Sequence, residues 1–363
     1  MKNLFHLFTY VCFILVLLAC KREDEEVTPE SATNDQWQLD ERFLFDSKTQ
    51  YNTYLNVEEN ALYFIGTDLF SQLSIDGNEE KVEHASSWLP NQPNVRTPIS
   101  ADVFMSILDE NVRFASTKNP VVLGADFSFN MERLDPLFDR FQFQHYRTGE
   151  TAVINSKNEC IVPYVINDEE GSNDFRLLKL NLSVQEELGF MYVDTLSTQI
   201  IELPELSNGV ITLHTLNDTF YVVTSDAGTF KLEESGNLTQ VTNERLYRIL
   251  RIDEQVIGIN NDKLFTSIDG ITWTPRLSVE SLFRSFTFVM VEGSTVGLAG
   301  DQIFLFTLMD DVLSFKELVN EGLEGNQITS VATLNGKVYV TSLSGVFVKP
   351  IEDFFTEKVT EEE

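Results

Sequence analysis

Ile328-Thr329-Ser330-Val331-Ala332-Thr333-Leu334-Asn335-Gly336-Lys337-Val338-Tyr339-Val340-Thr341 decides the fold of this 363-residue chain. Seven residues of strand-forming character lead into Asn335-Gly336, and five more lead out. Asn-Gly is the favoured pair for a two-residue hairpin, because both turn positions need positive φ. Gly345-Val346-Phe347-Val348 follows and supplies a third strand. The unit is therefore an antiparallel hairpin extended by one strand.

Working outward, the same phrase of apolar strand, polar turn and apolar strand recurs. It reads Tyr54–Val57 with Ala61–Gly66, Val103–Ile107 with Val112–Phe114, and Thr151–Ile154 with Cys160–Val162. It continues with Val210–His214 and Phe220–Val223, Tyr247–Ile252 and Gln255–Ile259, and Phe286–Met290 and Thr295–Leu298. No long stretch after Trp37 carries helical apolar spacing, so the pattern is all-β. The second strands of the seven copies fall near positions 63, 113, 161, 221, 257, 296 and 339. Their spacing of roughly 36 to 60 residues brackets the repeat of a four-stranded propeller blade. The expected fold is a single all-β β-propeller, seven-bladed with six as the alternative; two β-sandwiches are the rival architecture. Trp37–Phe45 precedes the first phrase and is placed to complete the last blade, which removes exposed strand edges.

Ser267-Ile268-Asp269-Gly270-Ile271-Thr272-Trp273 resembles the Asp-box, Ser-x-Asp-x-Gly-x-Thr-Trp, of sialidase-like and related propellers, with one residue fewer between Asp269 and Gly270. Ser74-Ile75-Asp76-Gly77 repeats its first half. Thr224-Ser225-Asp226-Ala227-Gly228 and Thr341-Ser342-Leu343-Ser344-Gly345 share a Thr-Ser-x-x-Gly turn. The resemblance implies a structural hairpin device at the blade periphery. In it Asp269 caps backbone N–H groups, Gly270 takes positive φ and Trp273 packs between blades.

The first residues carry a different signal. Met1-Lys2-Asn3 precedes Leu4–Leu18, apolar apart from His6 and Thr9. That length suits a secretory signal and falls short of the roughly 20 residues that span a bilayer. Leu17-Leu18-Ala19-Cys20 resembles the lipobox of bacterial lipoproteins, which implies cleavage before Cys20 and acylation of its thiol. Lys21-Arg22-Glu23-Asp24-Glu25-Glu26 and the polar run to Gln36 read as a flexible tether. The acidic cluster is similar to the surface-export signal of Bacteroidetes lipoproteins; a plain solvated linker is the alternative. The expected organisation is thus a signal peptide over 1–19, a tether over 20–36 and a propeller over 37–363. Such a chain is lipid-anchored to the bacterial outer membrane and is a candidate for display at the cell surface.

Charge and cysteine content narrow the partners. A formal net charge of −31 repels nucleic acid phosphates, so no DNA or RNA partner is expected. With Cys12 removed and Cys20 acylated, Cys160 stands alone and forms no internal disulfide. Its place in Glu159-Cys160-Ile161-Val162 makes it a buried small hydrophobe rather than a nucleophile.

Catalytic chemistry finds little to stand on. His84, His145 and His214 lie in different repeats without a second ligand nearby, and no metal site or cofactor is expected. Asn260-Asn261-Asp262 lacks the spacing of a calcium loop. No nucleophile elbow or phosphate loop occurs. A sialidase would need three convergent arginines; Arg96, Arg113, Arg147, Arg248, Arg251 and Arg284 are available, but one sequence does not show convergence. Trp88, in Ser86-Ser87-Trp88-Leu89-Pro90, sits in a Pro-rich loop and is a candidate ligand-facing residue against the alternative of packing under its own loop. No catalytic residue is assigned. The preferred reading is a binding or scaffold module that meets a protein or glycan. The alternatives are a glycan-active hydrolase with a deep central pocket and a structural member of an envelope assembly.

Overall fold

The computed structural model describes residues 36–43, 52–56, 60–65, 69–77, 79–86, 97–100, 103–108, 111–116, 128–138, 141–143, 152–167, 173–187, 190–204, 209–253, 255–261, 263–278, 286–309 and 312–359. Cys20 and its tether as far as Asp35, Trp88, His145, Arg96, Arg147 and Arg284 lie outside these residues. Among the described residues, no helix is long and apolar enough to cross a membrane.

The described strands form seven antiparallel sheets, named I to VII in chain order. Sheet I is Asn52–Asn56, Ala61–Ile65, Leu69–Asp76 and Glu79–Ser86; sheet II is Thr97–Ser100, Val103–Leu108, Asn111–Ser116 and Ser128–Asn130. Sheet III joins Phe141–Phe143, Glu159–Asn167, Asn173–Glu187 and Phe190–Glu202, with Val153–Ile154 as a fifth strand on Glu159–Asn167. Sheet IV is Val210–Leu216, Thr219–Thr224, Gly228–Leu232 and Leu238–Thr242; sheet V is Arg248–Ile252, Gln255–Ile259, Lys263–Ser267 and Thr274–Ser278. Sheet VI is Thr287–Val291, Ser294–Ala299, Gln302–Met309 and Val312–Glu317. Sheet VII is Ile328–Leu334, Lys337–Ser342 and Val346–Pro350, completed by Gln38–Leu39 from the other end of the chain.

Turn chemistry sets the hairpins. Asn335 and Gly336 take φ 51° and 72°, and Leu334 pairs with Lys337 across the two-residue turn. Asn217-Asp218 and Glu292-Gly293 turn their sheets in the same way. Six of the seven second strands fall where the repeat places them. Sheet II differs: Asn111–Ser116 is its third strand, because Thr97–Ser100, only four residues long and containing Pro98, precedes Val103–Leu108. A proline leaves one ladder position without a donor, so so short a strand carries no periodic signal. In sheet III, the three-residue Phe141–Phe143 is hidden by its shortness alone. That sheet also carries 15- and 13-residue strands, which run past Glu159 and bulge at Leu196, 72% exposed.

The core lies between sheets. Apolar layers fill III against IV, IV against V, V against VI and VI against VII. VII also packs on I through Leu62, Phe64, Tyr339 and Val346. The segment 37–43 serves both faces of sheet VII. Trp37 enters the VI/VII layer, and Phe43, fully buried, enters the VII/I layer beside Phe64. Glu80 of sheet I then bridges Arg42 at 2.9 Å and Lys337 at 2.7 Å across the same seam. Burial alone would raise the Glu80 carboxyl, but the two cations outweigh it and hold it below its ordinary value.

Candidate functional site

A half-open cleft of about 550 Å³ lies between sheets III and IV, within the size range of ligand pockets. It sits where the first strand of sheet IV turns into the second and the third into the fourth, beside the turn from Val153–Ile154 into Glu159–Asn167 of sheet III. Its floor is Phe220 and Leu232, both buried. Glu159 and Lys179 form one wall, paired at 2.8 Å; Lys231 and Glu233 form the other, paired at 3.3 Å. Lys157, Asp218 and Glu234 complete its charged lining.

Local turns hold these walls. Asn155, buried, accepts the N–H groups of Lys157 and Glu159 with one side-chain oxygen, which folds the turn that leads into Glu159–Asn167. Its amide nitrogen donates to Glu159 Oε2 at 2.7 Å and to the Asp218 carbonyl of sheet IV at 3.2 Å. Ser156 N donates to Asp218 Oδ1 at 2.9 Å. On the far side, Gln199 of sheet III donates to the Ser235 carbonyl at 3.0 Å, over Gly236, where a Cβ would strike the Gln199 amide. The cleft is thus bolted between its two sheets at both ends. Burial would raise the Glu159 carboxyl, yet the bonds from Lys179 and Asn155 prevail and lower it. Asp218 is lowered by its bonds from Ser156 and the nearby Lys157 charge.

A second polar cluster is internal to sheet III. Tyr164 donates to Asp135 Oδ2 at 2.8 Å, Arg176 NH1 donates to the same oxygen at 2.9 Å, and all three residues are buried. Burial first, then the Asp135 carboxylate, pushes the Tyr164 hydroxyl well up, so it stays a proton donor. This triad ties the segment 131–138 to sheet III and offers nothing to solvent.

The Ser267–Trp273 turn joins the third and fourth strands of sheet V. Asp269 Oδ1 accepts the N–H groups of Ile271 and Thr272, each at 2.8 Å, and the Ser267 hydroxyl at 3.0 Å. Those backbone bonds hold the Asp269 carboxyl down at about 2. Gly270 has φ +70°, and a Cβ there would collide with the Tyr221 hydroxyl of sheet IV. Trp273 lies half-buried on the apolar layer between sheets IV and V, over Gly258. The Thr224 and Ser342 turns are different devices. They join second to third strands, and their hydroxyls bond within the turn, to Gly228 and Gly345 carbonyls at 3.1 Å. Ser74–Gly77, in contrast, occupies the same third-to-fourth position as the Asp269 turn.

The remaining candidates scatter. His84 and His214 belong to sheets I and IV, and no group of three metal-ligating side chains occurs among the described residues. Arg248 and Arg251 share one strand at a spacing of three, which directs them to opposite faces. Cys160 is fully buried, and burial pushes its thiol up to about 12. Sequence reasoning missed Lys179, Arg176 and Asp135. The available signal was a cation inside the apolar run Phe175-Arg176-Leu177-Leu178-Lys179-Leu180.

No protein-family model matches this sequence, and no curated protein is similar to it. Among solved structures, the WD40 domain of Pan2 from Neurospora crassa is similar with a TM-score of 0.50 at 9% identity, over 87% of this chain and 95% of that one. Virginiamycin B lyase from Staphylococcus aureus is similar at TM-score 0.49 and 10% identity, over 86% and 98%. The extracellular domain of the putative one component system BT4673 from B. thetaiotaomicron reaches 0.49 at 10%, over 87% of this chain and 40% of that one. With its four-stranded antiparallel sheets packed face to face, the likeness to the Pan2 domain defines the class: the chain has a β-propeller fold.

Proposed function

We propose that this chain is a lipid-anchored surface protein whose single β-propeller, seven-bladed over 37–363, is a binding or scaffold module for a protein or glycan. The observation that carries this reading is the cleft between sheets III and IV: open, ligand-sized, and fixed by hydrogen bonds between its two walls. The face-to-face packing of sheet VII on both VI and I supports a ring of seven blades. In this reading residues 1–19 are the signal peptide, Cys20 carries the lipid and 20–36 is the tether. The Ser267–Trp273 turn is an Asp-box-like structural device, and Trp88 is a further ligand-facing candidate. No nucleic acid is among its partners, since −31 charges oppose phosphate.

The test is a glycan-array screen of the purified chain with product analysis of every hit, paired with cross-linking in intact outer membranes. A specific glycan or protein captured without turnover is the expected result. Bond cleavage in a hit would replace this reading by that of a hydrolase. Fatty-acid labelling of the wild type and of Cys20→Ala checks the anchor; label retained in the variant would refute it.

A further inference from the structure

We propose that the cleft between sheets III and IV is the ligand site, and that it takes an uncharged, hydroxyl-bearing ligand, the end of a neutral glycan. This rests on the binding-module reading and narrows it to one site and one ligand chemistry.

The charge pattern is the first reason. Three lysines and four carboxylates line the cleft, so it carries one net negative charge inside a chain of −31. Elsewhere that acidity draws cations. Here Lys179 answers Glu159 and Lys231 answers Glu233 within hydrogen-bonding or ion-pair distance. An anionic ligand entering between the walls meets carboxylates, and a cationic one meets ammonium groups. Neither pair offers a lone counter-ion to a charged ligand; Lys157, Asp218 and Glu234 of the lining stand outside the two pairs.

A hydroxyl group meets no such conflict. It donates one hydrogen bond and accepts others. Beside an ammonium–carboxylate pair it can give its proton to the carboxylate oxygen and accept from the ammonium without breaking the pair. Two such pairs, together with the Asn217 amide and the hydroxyls of Thr219 and Ser235, repeat this donor–acceptor complement around the cleft. The ligand that carries many hydroxyls and no charge is a neutral sugar chain.

Rigidity is the second reason. Hydrogen bonds to neutral hydroxyls repay little if the walls must first be ordered. Asn155 and Ser156 bond to Asp218 at one end and Gln199 bonds to Ser235 at the other, so the walls are set before a ligand arrives. Lys179 is itself 7% exposed, and a buried ion pair is an inefficient way to gain stability. Its placement in a cavity wall is better matched to recognition.

The experiment compares the purified wild-type chain with Lys231→Ala/Glu233→Ala and with Ser235→Trp on an array of neutral and acidic glycans. Both variants alter side chains that line the cleft, and thermal melting checks that each remains folded. A photo-cross-linking residue at Glu234 in the full chain, used in membranes, reports protein neighbours. The expected result is a neutral glycan bound by wild type, with about tenfold or greater loss in each variant. Its affinity should also be unchanged between low and high salt, because no ligand charge is screened. Hits confined to acidic glycans, or affinity that falls with salt, would overturn the ligand chemistry. Equal binding by wild type and folded variants would move the site elsewhere while leaving the module reading intact. A blank array with a protein cross-linked at Glu234 would overturn the glycan and keep the module; a blank array with no cross-link would remove both.

Discussion

Replacing Trp37 by alanine should loosen sheet VII from sheet VI and lower stability by about 3.5 to 6 kcal/mol. The indole is 5% exposed, edge-on to Phe354 at 6.0 Å, and donates through Nε1 to the Val319 carbonyl at 3.3 Å. It also lies over Lys349, whose ammonium is 5.7 Å from the ring centroid and whose residue is 1% exposed. Truncating a buried aromatic to alanine costs about 3–5 kcal/mol. The lost hydrogen bond adds about 0.5–1 kcal/mol, kept small because Lys349 Nζ still reaches the Val319 carbonyl at 3.4 Å. At roughly 2 °C per kcal/mol for a domain of this size, the melting temperature should fall by about 7–12 °C. Hydrogen exchange supplies the sharper readout. Amides of residues 346–349 and of Lys337–Ser342 should lose protection while those of Thr219–Thr224 in sheet IV keep theirs. Phe43→Ala should act similarly from the VII/I layer. Because both side chains anchor one segment, the double variant should cost less than the sum of the two. A loss under about 1 kcal/mol for Trp37→Ala, or equal loss of protection in sheets IV and VII, would refute the view that this segment clasps sheet VII locally.

Three further outcomes follow from buried groups. Asp135→Ala should cost about 2–3 kcal/mol in urea unfolding, because it strips Arg176 NH1 of its buried acceptor and leaves the guanidinium to Asp174 alone, whereas Tyr164→Phe should cost nearer 1 kcal/mol. His214 is held neutral by burial first and then by the Arg248 charge, with its folded value lowered to about 4. The unfolded chain therefore binds the extra proton between about pH 6.5 and 4, so stability is full above that window and falls by about 3 kcal/mol across it; His214→Gln should flatten this limb. Cys160, pushed up to about 12, should resist alkylation at pH 8 in the folded chain and react at the rate of unfolding.

Much of the frame was legible because strands that are buried on both faces advertise themselves. The pattern of Ile328–Thr341, its Asn-Gly turn, and the second strands of six sheets needed only local periodicity and turn chemistry. The role of the segment after Trp37 in completing the last sheet was legible because a series of four-stranded units leaves an edge for the other terminus to fill, and Gln38–Leu39 pairs with Phe347 and Val348. Thr97–Ser100 and Phe141–Phe143 were not, since strands of four and three residues owe their existence to a partner rather than to their own sequence. The cleft was illegible for a related reason. Its charged residues come from two sheets, and in a chain with 57 acidic residues any carboxylate looks like any other.

Register is what turns such residues into pairs. Lys179 lies opposite Ile161, which makes Glu159 its diagonal neighbour on the adjacent strand, and the two meet at 2.8 Å. Tyr164 lies opposite Arg176, and both converge on Asp135. A cation inside a doubly buried strand must find an anion, so each of these lysines and arginines announces a partner without naming it. The strand pairing names it, and in doing so separates the two clusters. Arg176 and Asp135 are sealed inside sheet III, while Lys179 and Glu159 form their pair on the wall of an open cavity. The same chemical solution is therefore structural in one place and available to a ligand in the other, and that difference in access, rather than any difference in residue type, is what directs the functional reading to the cleft between sheets III and IV.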